Sequence, residues 1–118
     1  MSGEKQKRLS RQEILDLSDA EVREVDIPEW GTTINLRTLT ALEATSFAES
    51  YKRGDKDGAI RMLVISAVDE DGKLMFTEAD IPSLQKKSMK VILRLQNAAM
   101  ELNGLRDRKV VEEAAKNG

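Results

Sequence analysis

The chain has 118 residues and contains neither cysteine nor histidine. Without cysteine there is no disulfide framework and no thiol chemistry, which fits a reducing cytoplasm. Without histidine, the commonest general acid–base group and the commonest metal ligand are lost together. Aromatic residues are scarce, at 3%, so aliphatic side chains and methionine have to build the core. Charges are plentiful but cancel to −2, which leaves no electrostatic reason to bind nucleic acid or an anionic membrane. The longest apolar stretch, Met62–Val68, is far short of a membrane span, and no signal-peptide pattern appears. These absences predict a soluble, intracellular, non-enzymatic protein with no cofactor and no metal.

What is present reads as one domain. Residues 1–8 form a basic start, with Lys5, Lys7 and Arg8, and are expected to be a disordered tail. Residues 9–118 are expected to form a single α+β domain, mainly α-helical, with one N-terminal β-hairpin near residues 21–37. Ser10 and Glu13 form a capping box that opens a short helix, "SRQEILDL", with Ile14, Leu15 and Leu17 as its apolar side. "EVREVDI" and "TTINLR" then alternate, with Arg23, Val25 and Ile27 on one strand face and Ile34 and Leu36 on the matching one. Pro28-Glu29-Trp30-Gly31 joins them. A lone hairpin is marginal in water, so this one must pack on helices.

A second capping box, Thr40 with Glu43, opens "TALEATSFAESYKRG", in which Ala44, Phe47, Ala48 and Tyr51 share a face. "GAIRMLVISAV" is apolar almost all round and predicts a central buried helix. "DEDGK" predicts a turn. Thr77 caps a short helical start that Pro82 interrupts. The longest helix is predicted from about Leu84 to Leu102, stopped by Asn103-Gly104. "DRKVVEEAAK" suggests a final, largely exposed helix.

Two candidate sites fail on inspection. "DEDGKLMFTEAD" superficially resembles a calcium loop, but counting from Asp69 puts Leu74 where the glycine is required and Asp80 where a bidentate glutamate is required. The carboxylate pair Glu112 and Glu113 lies in a charge-mixed stretch with no apolar pocket beside it. No catalytic motif is found.

The long helix is more informative. Leu84, Ser88, Val91, Ile92, Leu95, Ala98, Ala99 and Leu102 fall on one wide arc, and Lys90, Arg94, Asn97 and Glu101 form a solvent stripe. Met89, Leu93 and Met100 form a second apolar stripe. Either another element covers that stripe, or it is a partner or self-association surface suited to flexible methionine. Trp30 poses the same choice between folding back over the hairpin and serving as a binding anchor.

The order of segments resembles that of the tail assembly chaperones of long-tailed bacteriophages. The resemblance runs from about Leu9 to Asn117. It is carried by "SRQEIL", the "VDIPEWG" hairpin (the family's turn reads "VPEWG", with Ile27 here replacing the valine), "LTALEATSF", "MLVISAVDEDGKLMFTEADIPSLQKKS", "MELNGL" and "VVEEAAKN". It implies a protein that binds the tape measure protein, keeps it soluble and helps bring tail tube subunits to it. The family acts in the host bacterial cytoplasm and is absent from the mature virion. A homo-oligomer is compatible with coating a long polymer. The resemblance also implies a longer product of programmed ribosomal frameshifting, whose extension recruits tail tube protein. Ala115-Lys116-Asn117 can be encoded as GCA-AAA-AAC or GCA-AAA-AAT, which permits such slippage. Under this reading Met89, Leu93 and Met100, with Trp30, are the candidate partner-binding residues. The rival reading is a minor tail or head–tail completion protein that stays in the virion.

Overall fold

The computed structural model describes residues 8–54 and 57–105. The expected tail before Arg8, the final helix in "DRKVVEEAAK" and the trio Ala115-Lys116-Asn117 lie outside the described residues.

Three helices start where side-chain caps place them. Ser10 and Glu13 close a reciprocal capping box on α1 (Arg11–Asp16), and Thr40 and Glu43 do the same on α2 (Ala41–Lys52). Thr77 and Asp80 make the equivalent exchange at a single 3₁₀ turn, Glu78–Asp80. This turn runs into α4 (Ile81–Leu84), where Pro82 occupies a first-turn position that requires no N–H partner.

The hairpin forms as its alternation predicts. β1 (Val22–Ile27) pairs antiparallel with β2 (Thr32–Arg37), from Val22 opposite Arg37 to Ile27 opposite Thr32. A 3₁₀ turn, Pro28–Trp30, connects them, and Gly31 closes it at φ 66°, a conformation glycine takes without penalty.

The sheet also has a third strand, β3 (Ala67–Val68), which pairs with β2 at Leu36 and Asn35. The central buried helix expected over "GAIRMLVISAV" forms, but its last two residues leave it for the sheet. Helix α3 (Gly58–Ser66) ends at Ser66, and Ala67 turns extended to join the sheet. A run that is apolar on every side has no periodicity to separate helix from strand, so pairing with β2 decides. The expected turn follows: Val68 bridges to Leu74 around Gly72 at φ 80°.

The expected helix from Leu84 to Leu102 is likewise two elements. Leu84 ends α4, and Ser88 is extended at ψ 128° before α5 (Met89–Leu102) begins. Leu84 is nevertheless buried, because α4 delivers it to the same core.

One face of the sheet packs on α5 and α3, which also pack on each other, and α2 lies against α3. Ile27, Leu36, Met62, Leu63, Ala67, Val91, Leu95 and Ala99 are essentially sealed from solvent. The core is therefore aliphatic, as the shortage of aromatics requires. Burying a side chain of this size contributes on the order of 2 kcal/mol. The buried face of α2 is rotated from expectation. Glu43, Ala44, Phe47 and Ser50 turn inward, while Ala48 and Tyr51 are exposed. The cause is Arg37, which draws the Glu43 carboxylate toward the body of the fold.

Candidate docking surface

Among the described residues no group of carboxylates could hold a metal ion, and no helix is long and apolar enough to cross a membrane. Asp69, first residue of the rejected calcium loop, is committed to the turn: its carboxylate accepts from the N–H groups of Asp71 and Lys73, at 2.9 and 3.0 Å. This is the local role that Asp commonly takes in turns.

The informative features are apolar side chains without cover, and α5 carries the clearest set. Its inner arc, Val91, Ile92, Leu95 and Ala99, is buried. The stripe expected to face solvent instead faces the hairpin in part. Arg94 donates two hydrogen bonds to Glu29, at 2.7 and 2.6 Å, and Arg23 lies 3.3 Å from Glu101. The Arg94 guanidinium holds the Glu29 carboxyl down at about 2. On the opposite flank Met89 is 63% exposed and Leu93 43%. Met100 is partly buried against the core, so the three residues of the stripe differ in cover. Trp30 is also partly buried and packed against the core, with its neighbour Glu29 clamped to α5.

The C-terminal end of α5 explains the state of Met100. Gly104 takes φ 69°, its N–H bonds to the Glu101 carbonyl, and the Leu105 N–H bonds to the Met100 carbonyl at 2.7 Å. This pair of hydrogen bonds is a Schellman motif, a geometry often accompanied by an apolar contact between the positions that Leu105 and Met100 hold here. Both side chains are partly buried. Asn103 locks the same end. It donates to the Ala99 carbonyl and accepts from the Leu39 N–H, at 2.8 and 2.7 Å.

Two further regions are uncovered, and neither was read from the sequence as a partner surface. Helix α1 has no buried residue, and Ile14, Leu15 and Leu17 are all more than half exposed. Their spacing suggests a packed helix, yet none of them is buried among the described residues. Leu42, 76% exposed, borders a cleft of about 380 Å³ between α2 and α3. Phe47, Val64 and Ile81 line it, and the Arg61–Glu78 ion pair stands at its rim. Leu42 lies off the predicted apolar face of α2, and that mismatch was the available signal.

No protein-family model matches the chain, and no curated protein matches its sequence. A solved structure is similar: that of the bacteriophage HK97 tail assembly chaperone, at 18% identity and a TM-score of 0.60. The match covers 77% of this chain and 90% of that one. At so low an identity the likeness is one of fold. The chain thus has the α+β fold of a phage tail assembly chaperone.

Proposed function

We propose that this protein is a bacteriophage tail assembly chaperone and not an enzyme. In this reading it binds the tape measure protein, keeps it soluble and helps bring tail tube subunits to it. It does so in the cytoplasm of the host bacterium, as single copies or as a homo-oligomer, and does not remain in the mature virion. The observation that carries the reading is the exposed apolar flank of α5, Met89 and Leu93, on a fold shared with such a chaperone. A long, largely helical client would aggregate through its own apolar stripes, and an apolar helix flank is a surface able to mask them. The tail tube role is assigned mainly to a longer frameshifted product that diverges near Ala115-Lys116-Asn117.

The test is co-expression with the tape measure protein encoded by the same phage. The wild-type chain is expected to keep that protein in the soluble fraction. Leu93→Asp, which changes an exposed side chain, is expected to remain folded and lose that effect. A folded Leu93→Asp protein that still solubilises the tape measure protein would remove α5 from the interface. Finding the chain in purified virions would replace the chaperone reading with that of a structural tail component.

A further inference from the structure

We infer that the exposed flank of α5 takes an acidic amphipathic helix, one whose apolar stripe is bordered by carboxylates. The inference rests on the docking role proposed above for that flank and names the chemistry of what docks. Three lysines carry it. Lys86 and Lys87 lie in the turn that leads into α5, where their backbone N–H groups donate to the Ser83 and Leu84 carbonyls at 3.2 and 3.0 Å. Lys90 is in the first turn of α5, about 60° round the axis from Leu93. All three are exposed, and none forms an ion pair among the described residues. The chain has 21 acidic residues, yet none falls between Ile81 and Met100. The other charges along this side are already matched, Arg94 with Glu29 and Arg23 with Glu101.

The stability of the fold does not account for this arrangement. Cations at the N-terminal end of a helix oppose its dipole, and α5 has neither an acidic residue in its first turn nor a side-chain cap. A partner's carboxylate relieves that repulsion. Met89 and Leu93 are one turn apart, about 6 Å along the axis, so two apolar side chains at the same spacing on the partner cover them. Carboxylates beside those side chains then meet Lys86, Lys87 and Lys90 at the rim. Charge pairs placed there fix register and select the partner more than they add affinity. An anionic membrane would also attract the lysines. It is the poorer fit, because the inner apolar arc of α5 is buried in the core and leaves Met89 and Leu93 as the side chains to insert.

Two synthetic amphipathic helices with the same leucine stripe test this, one bordered by glutamate and the other by lysine. Their binding to the full chain is read by titration calorimetry at neutral pH. The chain's net charge of −2 favours the lysine peptide, so a preference for the glutamate peptide requires a local basic patch. At about 50 mM salt the glutamate peptide is expected to bind roughly tenfold more tightly, and about 500 mM salt should erase most of that margin. Lys86→Gln, Lys87→Gln and Lys90→Gln together are expected to abolish the preference, and Leu93→Ser to weaken both peptides. Equal binding of the two peptides, or none, overturns the inference, as does a preference that survives the glutamine variant. Binding to anionic phosphatidylglycerol vesicles as tight as binding to the glutamate peptide overturns it in favour of a membrane. The tape measure experiment fails separately. A chain that prefers the glutamate peptide but leaves the tape measure protein insoluble keeps this surface and loses that client, and the reverse result keeps the client and loses the charge preference.

Discussion

Glu43 joins three parts of the molecule through one carboxylate. It accepts two hydrogen bonds from Arg37, at 2.9 and 2.8 Å, and one from the Thr40 N–H that completes the α2 capping box. The same guanidinium donates to the Ile65 carbonyl at 2.7 Å. Strand β2, the start of α2 and the end of α3 are thereby held at one point. Glu43→Ala is expected to cost about 2 kcal/mol, measured by denaturant unfolding at neutral pH, because it leaves a partly buried guanidinium short of its partner. The Arg37 hydrogen bonds lower the Glu43 carboxyl from 4.5 to about 2. A group held lower in the folded state stabilises fully above its unfolded value and loses that contribution as pH falls. The difference between wild type and Glu43→Ala should therefore narrow between pH 4.5 and 2, and a constant difference across that window would show that Arg37 does not hold the charge. Leu95, fully buried, tests the core. Leu95→Ala is expected to cost about 3 kcal/mol in the same assay.

Among the elements, the ends of helices decide more than their middles. Gly104 has φ 69° and open space where a β-carbon would stand, so Gly104→Ala meets no clash and is penalised only by its left-handed backbone. The expected cost is about 1 kcal/mol in unfolding free energy. Helix α1 gives the opposite case. Replacing Ile14, Leu15 and Leu17 together by serine is expected to change that free energy by less than about 0.5 kcal/mol, since none of them is buried. A larger loss by calorimetry would mean that α1 packs on the body in solution. The capping boxes and the hairpin were legible in the sequence because their signals are local: a residue and its partner three positions on, or strict alternation. The break before α5 was not. Leu84 and Ser88 keep helical spacing with Val91 and Ile92, so two helices that feed one core read as one. Strand β3 was hidden for a related reason, since only its pairing with Asn35 and Leu36 distinguishes Ala67–Val68 from more helix. The α5 flank could be read from periodicity as an apolar stripe, but the differing exposure of Met89, Leu93 and Met100 could not, because it depends on how far each reaches the core.

At the scale of the whole molecule, the residues that hold the fold and those that lie open to partners are largely separate sets. The core needs aliphatic volume at the right positions, which many sequences supply, and this accounts for a shared fold at 18% identity with the HK97 chaperone. Trp30 is the exception that touches both sets. It is the chain's single tryptophan, packed partly against the core in the turn whose Glu29 grips Arg94 on α5. The protein thus carries its single indole at the junction of hairpin and long helix, and excitation beyond the absorption of Tyr51 reads that indole alone. Its emission colour reports how much water reaches that junction. A spectral change on mixing with a binding partner that lacks tryptophan would time the docking event in an unlabelled chain, with the protein's own turn serving as the optical probe.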